Sequence, residues 1–222
     1  MSGSLTITSD GPAGLTADYI AERWPRLFHM SEAGSWPSIS LNGLLSTTAL
    51  LDRFEISGLE RAAIESQRRP NPVEIHHPSL GSAWIRDNKP INETALQRTL
   101  VGMTMPQWYE TLNGRVFFWL SRERLDRLRD ARPYRGRPHD VLALDTAAML
   151  HAHADEVELA HLNTGAVHRG ATYPRGAGTF RRIEDYPWQE RLTVAPREPV
   201  VELTIPYAVA DIAALVVSVA TE

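Results

Sequence analysis

Two short stretches of this 222-residue chain carry side chains able to do chemistry. The first is Phe28-His29-Met30-Ser31, followed by Trp36-Pro37-Ser38-Ile39 and by Gly43-Leu44-Leu45-Ser46-Thr47. It reads as a strand ending in His-x-Ser, and an imidazole there is available for hydrogen bonding near neutral pH. The second is Pro199-Val200-Val201-Glu202-Leu203-Thr204-Ile205-Pro206, an apolar run interrupted by one carboxylate. A carboxylate so placed can accept a proton or stabilise developing positive charge. Both residues have a plainer reading. Strand alternation turns Val201 and Leu203 inward and Glu202 out to solvent. His29 reads equally as a core histidine with its hydrogen bonds satisfied.

Much other chemistry is excluded. The chain has no cysteine, hence no disulfide, thiolate nucleophile or cysteine zinc site. It contains no phosphate-loop motif, no G-x-G-x-x-G after a strand and no G-x-S-x-G elbow. Arg175-Gly176-Ala177-Gly178 is only a glycine-rich loop. His76-His77 and His151-x-His153 lack the spacing of a helical zinc site, so no metal is expected. The net charge of −4 does not advertise nucleic acid. Lys89 is the only lysine, and arginines cluster in 122–137 and 169–182. A biased genome explains that preference; so does recognition of phosphates or planar groups, for which arginine is the better donor.

The positioning elements follow from caps and periodicity. Thr16 caps a helix over 17–24, and Leu27–Met30 is a short strand. Ser35 caps a helix ended by Gly43, and Ser46-Thr47 opens another. Strands are expected at Val73–His77, Ala83–Asp87, Val141–Asp145, Val157–Leu162, Val200–Ile205 and Leu215–Val219. Arg115–Leu120, with Val116, Phe117, Phe118 and Trp119 together, is the strongest β run. Asn92 and Ser121 cap further helices. Asn163–Pro196 is rich in Gly, Pro and Arg and weakly periodic, as a functional loop is. Mixed strands and short helices point to an α+β fold rather than a doubly wound sheet. Residues 1–15 read as a flexible leader and 16–222 as one domain. No apolar run reaches the roughly 18 residues of a membrane helix. Met1 to Gly14 has no basic start or apolar core, so a cytoplasmic location is expected.

His-x-Ser, then Ile39, then Gly43-Leu44-Leu45 resembles the NAD-gripping start of DarT-type DNA ADP-ribosyltransferases. The aromatic strand Phe117-Phe118-Trp119, the late strand with Glu202 and the Ile212 to Val217 finish follow in the same order. The similarity runs from about Leu27 to Val219, and the closest relation suspected is an uncharacterised bacterial family of that superfamily.

The resemblance implies a split β-sheet core around an NAD cleft. It implies transfer of ADP-ribose from NAD, most plausibly to a nucleic-acid base. Glu202 would then be catalytic, and His29, helped by Ser31 and Ser46, would hold the dinucleotide. Arg69 or Arg86 would meet the pyrophosphate, and Phe118 would pack near nicotinamide or else in the core. A loop with Asn163, Arg169, Arg175 and Arg181 would meet the acceptor. Val200, two before Glu202, breaks the Glu-x-Glu pattern of arginine-modifying members. An antitoxin-type partner fits the same resemblance. The alternatives are an RNA 2′-phosphotransferase, which the lack of Arg or Lys from His29 to Thr47 disfavours, and an inactive NAD- or ADP-ribose-binding module.

Overall fold

The computed structural model describes residues 14–222, so nearly all of the expected leader lies outside the described residues. The first elements are α1 (Ala17–Arg23), β1 (Arg26–Glu32), α2 (Trp36–Asn42), β2 (Leu44–Leu45), α3 (Thr47–Arg53) and α4 (Gly58–Glu65). A hairpin follows, β3 (Val73–His77) and β4 (Gly81–Ile85), then α5 (Glu93–Thr99), β5 (Leu100–Val101) and α6 (Met105–Asn113). Next come β6 (Arg115–Trp119), α7 (Arg122–Arg129), β7 (His139–Asp145), α8 (Thr146–His153) and β8 (Glu158–Ala160). The chain closes with β9 (Arg175–Gly176), β10 (Arg181–Arg182), α9 (Trp188–Val194), β11 (Glu202–Pro206), β12 (Ala208–Val209), α10 (Ile212–Leu215) and β13 (Val216–Thr221).

Caps place most helix starts. Thr16, Ser46, Asn92 and Ser121 each accept a hydrogen bond from the backbone N–H three residues on. Thr104 and Gln107 form a reciprocal capping box on α6. Ser35 departs from expectation. Its backbone is already helical, and its hydroxyl donates to Ser31 Oγ at 2.9 Å instead of capping α2. Gly43 ends α2 at φ 85°, a conformation that a Cβ disfavours.

The fold is mixed α and β, as expected. Its main sheet has seven strands in the order β10-β8-β11-β6-β1-β7-β13, antiparallel throughout. The sheet is nearly divided in the middle. β1 pairs with β7 along all seven of its residues, and β6 with β11 along five. Between β1 and β6 the register holds only one pair, Phe28 with Trp119.

Paired residues share a face, and neighbours along a strand alternate. One face carries Leu27, Phe118, Leu142 and Leu203 and packs on Ile20, Met149, Trp188 and Ile212 of the flanking helices. The other face has two covers. Leu125 of α7 packs on Met30 and Val141. Leu96, Trp108, Val167 and Phe180 lie over Ala160 and Phe117. A satellite cluster joins α3, α4 and the hairpin through Leu51, Ile64, Ile75 and Ile85.

The stretch 163–196 is more structured than its composition suggests. It contains β9, β10 and α9. Val167 bridges Ile91 in parallel, and Arg175 and Gly176 pair in parallel with Leu100 and Val101. Arg98 adds a 2.7 Å hydrogen bond to the Arg169 carbonyl.

Candidate active site around Glu202

Glu202 is the first residue of β11, opposite Trp119 of β6 and Ala160 of β8. Alternation turns it off the main core face, as expected, but not into solvent. Only 2% of it is exposed. The face it points to is roofed by α5, α6 and the long segment after β8. That roof supplies its partners. The Thr164 N–H donates to both carboxylate oxygens at 3.2 Å, and Thr164 Oγ1 donates to Oε2 at 2.7 Å. Among the described residues, no cation is ion-paired with it. Burial lifts its pKa to about 7, against the pull of the Thr164 bonds and the charges of Arg124 and Arg175. A carboxyl group poised there can hold a proton and release it at neutral pH.

His29 sits at the seam. Its Nδ1 lies 2.9 Å from the Phe117 carbonyl oxygen across the opening between β1 and β6. A carbonyl only accepts, so Nδ1 carries the proton and Nε2 is left as an acceptor. Burial lowers its pKa to about 4, offset by the Phe117 bond and reinforced by Arg86, so the ring is neutral at pH 7. With Nδ1 engaged, the neutral ring can hold a hydroxyl only by accepting from it at Nε2.

The register separates the two residues. Phe28 and Glu202 both align with Trp119, so Glu202 shares the face of Phe28, and His29 points to the opposite one. They lie close in the sheet without facing a common open space. A ligand touching both must pass through the seam. Depressions of about 350 Å³ (at Arg129, Gly136, Arg137 and Glu222) and about 290 Å³ (between α1 and α8) are lined by neither residue.

The remaining candidates divide cleanly. Arg86 meets the first motif through the motif's backbone. It donates to the Met30 carbonyl at 2.8 Å and lies 4.9 Å over the Tyr134 ring. Arg69 is spent on structure, donating to the carbonyls of Arg86 and Ile64 and to Asn113 Oδ1. Of the two pyrophosphate candidates, only Arg86 neighbours the first motif. Ser31 is buried, accepting from Ser35 and donating to the Asp140 carbonyl at 3.4 Å. Ser46 is buried as the cap of α3, which occupies its hydroxyl. Phe118 takes the second of its two expected places: it is fully buried with Leu142 and Leu203 on the core face. Its neighbours Phe117 and Trp119 take the other face, because adjacent strand residues alternate. Phe118 is a packing residue, whose truncation to Ala costs about 3–5 kcal/mol.

Asn163 is partly buried beside Thr164. Arg175 is buried within reach of Glu202's charge, donating to the carbonyls of Tyr173 and Ala166. Arg169 and Arg181 stand exposed on the outside of the roof. Two contributors escaped sequence reasoning: Thr164 and Arg124. Nothing in their spacing tied them to Glu202. Among the described residues, no group of three metal-ligating side chains is placed to hold a metal, and no helix is long and apolar enough to cross a membrane.

The class defined by this geometry is an α+β domain with a nearly divided antiparallel sheet and a buried, near-neutral carboxyl group. Residues 25–216 match the model of a family of unknown function, DUF7002, and the chain belongs to that family. No curated protein matches it.

Proposed function

We propose that the protein is an NAD-dependent ADP-ribosyltransferase whose acceptor is a nucleic-acid base. The observation that carries this reading is Glu202, a desolvated carboxyl group with a pKa of about 7 on a strand that packs through its neighbours. The reaction breaks the bond between nicotinamide and ribose C1′ and forms one from C1′ to the acceptor. Glu202, as the carboxylate, stabilises the cationic sugar and takes the proton that the acceptor loses. Neutral His29 offers Nε2 to a ribose hydroxyl, and Arg86 beside it suits the pyrophosphate. The roof with Arg169 and Arg181 is the acceptor side. The finer fold assignment, an ADP-ribosyltransferase-like split sheet, is supported by the single-pair contact of β1 with β6.

The test is incubation of the protein with NAD labelled in its ADP-ribose half and single-stranded DNA and RNA acceptors. Labelled acceptor and free nicotinamide are expected, and both fall by a factor on the order of 100 in Glu202→Gln. Full activity in that variant sinks the assignment. One observation favours a second reading, an RNA 2′-phosphotransferase. Arg86 brings to His29 the cation that the local sequence lacks. Loss of phosphate from 2′-phosphorylated RNA would select it. Binding of NAD with no nicotinamide release would instead indicate a binding module.

A further inference from the structure

We propose that β13 is the interface of a homodimer: it pairs antiparallel with β13 of a second copy of this chain, across a two-fold axis at Ala220, and joins the two sheets into one. β13 closes one end of the seven-stranded sheet, and among the described residues it pairs only with β7. The two ends of the sheet are built differently. β10, at the other end, is two residues long, and both are arginines. A short, charged edge discourages further pairing. β13 is six residues, Val-Val-Ser-Val-Ala-Thr, with no charge and no proline. Val217, Ser218, Ala220 and Thr221 are exposed. Its one irregularity, a register shift between Val216 and Ser218, lies at its start and leaves Ser218 to Thr221 in regular register with β7.

The ladder fixes which backbone groups are free. Glu222 and His139 exchange both of their backbone hydrogen bonds, each at 2.9 Å. Alternation then turns the N–H and C=O of Ser218 and Ala220 towards β7, and those of Val219 and Thr221 outwards. Outward groups on an uncharged strand are a template for another strand. A second copy supplies the matching set. With the axis at Ala220, Val219 lies opposite Thr221 of the second copy and Thr221 opposite its Val219, so each outward donor meets an outward acceptor. Ala220 meets its own copy in a pair without hydrogen bonds, where Cα atoms approach to about 4.5 Å, and its small methyl group admits that approach. Ser218 lies opposite Glu222, a carboxylate already held by Arg122 and Arg129, so no like charges face each other.

One strand pair is a small interface, so a dissociation constant on the order of 10 µM is expected. Sedimentation equilibrium of the wild type across that value tests it, and a chain that stays monomeric at about 300 µM overturns the proposal. Ala220→Lys sets two ammonium groups against each other at the axis. It is expected to weaken the dimer about tenfold or more with unchanged circular dichroism, because Ala220 is exposed and keeps its bonds to β7. An equally tight dimer of folded Ala220→Lys overturns the assignment to this edge. The chain has no cysteine, so Ala220→Cys carries a single thiol. Under mild oxidation it is expected to form a disulfide-linked dimer far faster than Ser218→Cys, whose thiol faces Glu222 instead of its own copy. If Ala220→Lys does not fold, that contrast decides: equal cross-linking of the two cysteine variants overturns the two-fold pairing. None of these readouts involves NAD or Glu202, so the dimer and the transferase reading stand or fall separately.

Discussion

Glu202 and His29 are shifted in opposite directions by the same cause, burial, and their effects on stability oppose each other. The folded state raises Glu202 from 4.5 to about 7, so it holds more protons than the unfolded chain between those values. That contribution is full below pH 4.5 and is lost as pH rises through about 7. His29 falls from 6.5 to about 4, so its contribution is present above pH 6.5 and is lost as pH drops towards 4. Each is worth on the order of 3 kcal/mol. Glu202→Gln is therefore expected to gain stability over wild type at pH 8 and to lose that advantage at pH 5. His29→Gln should show the reverse trend. Urea unfolding across pH measures both, and parallel curves for wild type and Glu202→Gln would count against the shift.

Thr164 is a positioning residue in this scheme. Thr164→Val removes the 2.7 Å bond to the carboxylate and should move the acid limb of the activity profile up by about one pH unit. Thr164→Ser should restore it, which a merely structural threonine would not require. Both titrating residues were visible in the sequence as polar interruptions of apolar strands. Thr164 was not, because its partner is set by a tertiary approach that no local spacing encodes.

At the scale of elements, the seam between β1 and β6 decides most. One register pair and the His29 side chain close it, whereas β1 and β7 are paired throughout. The amide of Phe117, which faces the seam with its carbonyl, is expected to exchange with solvent faster than those of Leu142 and Leu144, and His29→Ala should widen that gap. Equal protection measured by NMR would mean that the seam is closed by other contacts. Element starts were legible where a Ser, Thr or Asn side chain could serve its own helix, as with Thr16, Ser46, Asn92 and Ser121. Ser35 failed that rule because Ser31, four residues earlier, competes for its hydroxyl. The stretch 163–196 was illegible for a different reason. Its order comes from pairing with Ile91 and with Leu100 and Val101, and its own periodicity is too weak to announce β9, β10 or α9. The single pair between β1 and β6 had no sequence signature either, since β6 is the most strand-like run in the chain.

For the molecule as a whole, the arginines sort into two populations. Those of α7 are neutralised: Arg122 and Arg129 by Glu222, Arg124 by Glu198, and Arg127 by Glu123. Arg169, Arg175 and Arg181 of the roof have no ion-paired carboxylate among the described residues, and the roof's attachment to β5 depends on Gly176. A Cβ at this position would collide with the Val101 carbonyl, which is backbone and cannot turn aside. Gly176→Ala is thus a wedge, driven in where there is no reactive group at all. It should leave the seven-stranded sheet intact by circular dichroism and let water reach the carboxyl group. The pKa of Glu202 would then fall towards the ordinary carboxylate range, readable by side-chain carbon NMR. The dryness of the Glu202 carboxyl group would then rest on the clearance around one missing methyl group, so a residue with no side chain would act as the seal of the roof.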